Sequence, residues 1–326
     1  MTTRLLVTGG AGFIGSHYVR TLLGPEGPPD VALTVLDALT YAGNPANLDP
    51  VRHDRRLTFV HGDICDAPLV DRVMAEHDQV VHFAAESHVD RSLLDASAFV
   101  RTNAGGTQTL LDAALRHGVS TFVHVSTDEV YGSAEDDSWD EEEPLRPNSP
   151  YSASKASADL LALAQHVSHG LDVRVTRCAN NYGPYQFPEK LIPRFLTLLD
   201  GHRVPLYGDG LHVREWLHVD DHVRAIEAVR TRGRAGQVYN IGGTALTNQE
   251  LVGLLLKKCD AGWDSVEYVT DRKGHDRRYA LDSGRIVRRR RASVLLTLRG
   301  ARARSSGVTG GSVRAAVIIS RTRGAA

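Results

Sequence analysis

Cysteine is scarce. Cys65, Cys178 and Cys259 lie far apart, which excludes a disulfide framework and any metal-ligand spacing and fits a reducing cytoplasm. Long apolar runs are missing too. None approaches the ~18–20 residues of a membrane span, so a spanning protein is excluded. The apolar stretch Met1–Gly15 is not followed by a cleavage-like segment, and its glycines have another use, which argues against a signal peptide. Acids are absent from residues 284–326, where eleven arginines stand, including Arg288–Arg291. Residues 1–283 therefore hold 27 basic against 39 acidic side chains, a net charge of −12. A body of that sign offers no general basic patch for nucleic acid.

What is present is an alternation of strand and helix. Apolar runs fall at 4–7, 32–37, 57–63, 79–83, 121–126 and 173–178. Amphipathic patterns lie between them, up to about Leu23 and near 67–76, 96–117 and 151–169. That order predicts an α/β fold with a Rossmann-type, doubly wound parallel sheet. After Cys178 the segment Asn180–Pro193 is rich in Asn, Gly and Pro and predicts a shaped loop, followed by a helix over 191–199. Residues 219–243 return to a helix–strand pattern that can rejoin the first sheet. The chain thus divides into 1–179 with 211–243, and a smaller, discontinuous domain of 180–210 with 244–326. Residues 135–143 hold seven acids and predict a solvated loop.

Gly9, Gly12 and Gly15 form a Gly-x-x-Gly-x-x-Gly turn between the first strand and first helix. The first glycine allows the tight turn, the second lets a pyrophosphate approach the backbone, and the third lets helix and strand pack closely. Asp37 closes the next strand, 22 residues after Gly15, where an acid can accept hydrogen bonds from a ribose and repel a 2′-phosphate. The pair favours NAD over NADP. Asp63 ends the third strand, placed to meet the adenine amine.

Tyr151 and Lys155 share one face of a predicted helix. An ammonium there favours the phenolate, so the tyrosine pKa is expected to fall toward working pH, making it a base for a sugar hydroxyl. With the glycine turn, this pair resembles the extended short-chain dehydrogenase/reductase superfamily. Thr127 stands where that superfamily binds the reacting hydroxyl, and Asp128 and Glu129 follow it. Two acids in one pocket should have pKa values pushed apart, leaving one protonated and one basic.

Further segments narrow the resemblance: 85–92 (Ala-Glu-Ser-His-Val-Asp-Arg-Ser), 180–193, Arg214-Glu215-Trp216 and 271–279. Across roughly residues 4–282 the chain is similar to the dTDP-glucose 4,6-dehydratase family of actinomycete deoxysugar pathways. The resemblance implies that Phe13, Ile14, Asp37, Asp63, Ile64, Phe83, Ala84, Ala85, Ser87, Thr102, Lys155 and Asn181 contact a tightly held NAD. It implies that Thr127 holds the hydroxyl at carbon 4, that Tyr151 is the base for its oxidation, that Asp128 protonates the departing hydroxyl at carbon 6 and that Glu129 takes the proton from carbon 5. Ser87, Asn180, Lys190, Leu191, Pro205, Tyr207, Arg214, Asn248, Arg272 and His275 would hold the nucleotide sugar, arginine suiting a diphosphate because it donates two parallel hydrogen bonds.

The implied reaction oxidises carbon 4, eliminates water across carbons 5 and 6 and returns the hydride to carbon 6, so the cofactor ends as it began. A cytoplasmic homodimer associating through the helices near 96–117 and 151–169 is implied as well, with neither metal nor membrane. Two rival readings use part of the same set: a UDP-sugar 4-epimerase or decarboxylase, which needs no acid–base pair after Thr127, and a non-catalytic NAD-binding protein. Residues 284–326 depart from the family pattern. They read as the product of a frame shift, with a basic arm for nucleic acid or an acidic partner as the competing explanation.

Overall fold

The computed structural model describes residues 2–134, 137–199, 201–271 and 274–289. Arg272 lies outside them, as does nearly all of the arginine-rich segment, so the expectations attached to those residues fall outside the described structure. Six strands correspond to the six apolar runs: β1 (Thr3–Thr8), β2 (Val31–Asp37), β3 (Leu57–His61), β4 (Gln79–His82), β5 (Thr121–Thr127) and β6 (Val173–Cys178). Then come β7 (Asn180–Tyr182), β8 (Val204–Tyr207), β9 (Val213–His218), β10 (Val238–Ile241), β11 (Thr244–Thr247) and β12 (Val266–Val269).

The main sheet has seven strands in the order β10-β6-β5-β4-β1-β2-β3. Every pairing in it is parallel. Successive strand residues face opposite layers, as the two-residue period requires. Leu5, Val7 and Val35 pack with Tyr18, Val19 and Ile226 on one side. Leu6, Leu36 and Val80 pack with Val70, Leu110 and Ala162 on the other. Both faces being covered, β5 is buried along its whole length. As the pattern over 219–243 suggested, the helix Val219–Arg232 leads into β10, which pairs with β6 from Val238↔Val175 to Ile241↔Cys178.

Beyond the sheet's carboxyl edge, β7, β9 and β11 form one small sheet and β8 and β12 another. A third cluster, including Phe195, Leu206, Trp216, Leu251 and Leu256, fills the space beneath them.

Two expectations change. The helix over 96–117 is interrupted. Ala96–Phe99 passes into a wide π-helical segment, Val100–Gly106, before Thr107–Arg116 resumes α geometry. Buried Asn103 sets the distortion: its Oδ1 accepts from the Glu86 amide at 2.9 Å and its Nδ2 donates to Ser154 Oγ at 2.8 Å. The acidic 135–143 loop is also not wholly solvated. Glu141 is buried, accepts from the Asn240 amide at 3.1 Å and lies 3.3 Å from Arg285 Nε. Beside it Trp139 stacks on Tyr131. The arginine-rich segment begins as a short helix, Gly284–Arg289, that puts Ile286 into the core.

Candidate active site

One cavity of about 580 Å³ opens along the carboxyl ends of the parallel strands. At its floor the glycine turn joins β1 to the helix Phe13–Leu23. Gly9 has φ +68°, and a Cβ there would sit 2.6 Å from the Ala84 amide nitrogen. A Cβ on Gly15 would collide with Gly9 O. The helix start has Gly12 as its cap residue, with no side-chain cap and no acid in its first turn. Its first amide hydrogens are thus left to the cavity, a positive end suited to a pyrophosphate. Phe13, Ile14, Ile64, Phe83, Ala84, Ala85 and Thr102 line the same space, Thr102 from the π-helical segment.

Asp37 ends β2 at the rim and accepts from the Ala11 and Leu39 amides, both at 2.8 Å. Those bonds fix its carboxylate while leaving lone pairs toward the cavity. Asp63 accepts from the Cys65 amide at 2.9 Å and from Arg101 at 2.8 Å. Asn181 is oriented from below, its Oδ1 lying 2.8 Å from Nδ1 of buried His222. This glycine cradle, bare helix end and rim acid fit a dinucleotide with a free 2′-hydroxyl.

The catalytic candidates enter from two neighbouring elements. Thr127 ends β5 and caps the turn Asp128–Tyr131, accepting from the Glu129 amide at 3.3 Å. Its hydroxyl donates to Asp128 Oδ1 at 3.1 Å. Asp128 is 2% exposed, and among the described residues its Oδ2 has no partner. Burial, reinforced by the charge of Glu129, pushes its pKa well above the usual carboxylate range. Burial thus opposes the ionisation of this acid.

Tyr151 and Lys155 lie on the helix Pro150–His169, which starts at a capping box formed by Ser149 and Ser152. Both are buried and line the cavity. The expected fall in the tyrosine pKa is corrected here. Burial first, then the charges of Glu129 and Cys178, raise it well above 10.0, and a hydrogen bond with Thr127 only partly opposes them. Lys155 spends a hydrogen bond on Val125 O at 2.8 Å, and burial lowers it to about 8.

The remaining candidates face them across the cavity. Ser87 O accepts from Lys190 Nζ at 2.8 Å. Leu191 opens the helix Leu191–Leu198, Pro205 and Tyr207 lie on β8, and Asn180 on β7. Asn248 begins the helix Asn248–Lys258, with its Oδ1 buried and unpartnered among the described residues. Arg214 lies 4.1 Å over the Tyr279 ring and donates to Asp276 O at 2.7 Å. His275 stacks on His212 at 3.9 Å, and Asp271 bridges both rings. The ligand atoms of His212, Asp271 and His275 all lie within 4.8 Å of one another.

Tyr279 and Trp216, to which the sequence attached no role, also line the cavity. Tyr279 donates to Asp276 at 2.7 Å, and the Glu129 charge helps raise its pKa. The signal for it was an aromatic closing the polar run 271–279, which composition does not separate from a core residue.

Comparison with known proteins gives concordant results. A family model described as GDP-mannose 4,6 dehydratase matches residues 6–295. A dTDP-glucose 4,6-dehydratase of Streptomyces griseus is 80% identical over 290 residues, covering 88% of this chain and 88% of that relative. A dTDP-glucose 4,6-dehydratase from Streptomyces venezuelae, solved with NAD bound, is 63% identical with a TM-score of 0.85, covering 88% of this chain and 90% of the other. A UDP-glucose 4-epimerase from Thermotoga maritima, solved with UDP-glucose, is 33% identical with a TM-score of 0.79, covering 87% and 91%.

Proposed function

From the premise that this chain belongs to the dTDP-glucose 4,6-dehydratases, within the wider GDP-mannose 4,6 dehydratase family, we infer that it is an NAD-dependent hydro-lyase acting on dTDP-glucose. It oxidises carbon 4, removes water across carbons 5 and 6 and yields dTDP-4-keto-6-deoxy-D-glucose. Bound NAD would supply the hydride acceptor that later returns the hydride.

The chain's own groups divide the proton work. Thr127 orients the carbon-4 hydroxyl and Tyr151 takes its proton. Glu129 removes the carbon-5 proton, which the neighbouring ketone has made acidic. Asp128, kept neutral by burial beside Glu129, gives its proton to the hydroxyl leaving carbon 6. Arg214, Asn248, Arg272 and His275 belong to the nucleotide-sugar side, which residues 180–210 and 244 onward supply together with β9. Residues 1–179 and 219–243 supply the cofactor side; β9, which the sequence division placed with them, pairs with β7 and β11 instead.

The observation that carries this reading is the adjoining pair of carboxyls in the cavity, one of them buried with an unpartnered oxygen among the described residues. A 4-epimerase has no use for that pair, because it breaks no bond at carbons 5 or 6. Incubation with dTDP-glucose tests it: the product must be lighter by one water and carry a ketone, and recovery of a galactose epimer would support the epimerase instead.

The reading extends to a homodimer. Val100, Leu160 and Val167 lie exposed on the helices that would meet, Val167 at 83%. It extends also to a bacterial cytoplasm and to antibiotic-type deoxysugar supply. Free Cys65, Cys178 and Cys259, and Streptomyces relatives, support these.

A further inference from the structure

We propose that Asp159 is a positioning residue for this reaction: its buried carboxylate, held by Arg177 beside His124, is the counter-charge to the Lys155 ammonium one helical turn away. The proposal rests on the roles given above to Tyr151 and Lys155.

Asp159 follows Lys155 by four residues and Tyr151 by eight, so one face of the helix Pro150–His169 carries all three in a row. Its side chain is fully buried. Oδ2 accepts from Arg177 Nε at 2.8 Å, and Oδ1 lies 3.3 Å from His124 Nε2. The guanidinium is fixed from its far side: Arg177 donates to the Tyr131 hydroxyl at 2.8 Å, which donates to Asn240 at 2.9 Å. The carboxylate is therefore held in a fixed place one helical turn from Lys155.

Groups facing Lys155 come from every surrounding element. Its own helix gives Tyr151 and Asp159, β5 gives His124 and the Val125 carbonyl, β6 gives Arg177 and Cys178, and β4 gives His82. Burial keeps both histidines neutral near neutral pH, His124 falling to about 4, so neither adds a cation. Arg177 holds Asp159 ionised, down to about 2. Among the charges acting on Lys155, Asp159 opposes desolvation most strongly.

A buried ion pair is poor evidence for stability, since apolar residues of equal volume often do as well. This one has a chemical use. Without the Asp159 charge, Arg177 and Lys155 become two buried cations with no counter-charge. Arginine does not release its proton, so lysine does. A neutral Lys155 no longer favours the Tyr151 phenolate.

The experiment follows reduced nicotinamide on mixing the purified holoenzyme with dTDP-glucose, across pH, with thermal midpoints alongside. In the wild type the alkaline limb should lie near pH 8. Asp159→Asn should move the limb down by about one pH unit or more, and Asp159→Glu should restore it. Arg177→Gln removes the cation that holds Asp159 ionised and so should also move the limb down, which decides the matter if the asparagine variant does not fold. A lower midpoint with an unmoved limb in either variant means a structural role only. Absence of any reduced nicotinamide in the wild type would instead condemn the underlying roles of Tyr151 and Lys155.

Discussion

At the scale of single residues, the site depends on like groups made unlike by their surroundings. Asp128 and Glu129 are neighbours in sequence, yet burial and the adjacent charge push the pKa of the first well above the usual carboxylate range. Glu129→Gln should stop solvent deuterium from entering carbon 5 while reduced nicotinamide still forms; unchanged exchange would remove Glu129 from the role of base. Tyr151→Phe should slow formation of reduced nicotinamide by ~10²–10⁴-fold, since it removes a general base. Activity near wild type would contradict that. Asp128 also ties stability to pH. A carboxyl whose folded pKa is raised adds stability that is complete below its unfolded value and is lost as pH climbs through the folded value. Asp128→Asn should therefore flatten the alkaline side of the thermal-midpoint profile, as scanning calorimetry from pH 5 to 9 would show.

At the scale of elements, the glycine turn is the tightest constraint. Gly9→Ala meets both a positive φ and the Ala84 backbone, so it should cost more than about 1 kcal/mol in urea unfolding and weaken NAD binding. An unaffected midpoint would mean that the turn relaxes freely. The strands of the main sheet were legible because each is a short apolar run closed by a polar residue, and buried parallel strands require that pattern. The Tyr151–Lys155 helix was legible from its spacing and the prolines before it. The π-helical segment was not, because the side chain that widens it, Asn103, acts through Glu86 and Ser154 from other elements. Nor was the burial of Glu141, which depends on an Asn240 amide 99 residues away. The tyrosine pKa was misjudged for the same kind of reason: spacing displayed Lys155 but not the carboxylates and desolvation that outweigh it.

At the scale of the whole molecule, β10 returns to the main sheet while β7, β8, β9, β11 and β12 stand over its carboxyl edge, so cofactor and sugar candidates share one cavity. Leu160 and Val167 are exposed on the helix through which the proposed homodimer would form. Leu160→Arg with Val167→Arg should turn a dimer into a monomer in sedimentation equilibrium, and an unchanged mass would place the dimer contact elsewhere. The most direct test of the central claim follows the label itself. With dTDP-glucose deuterated at carbon 4 in ordinary water, the product should be a 4-keto-6-deoxy sugar carrying that deuterium on carbon 6 and solvent hydrogen on carbon 5. A product that keeps its carbon-6 hydroxyl, or deuterium returned to carbon 4, would contradict the dehydration.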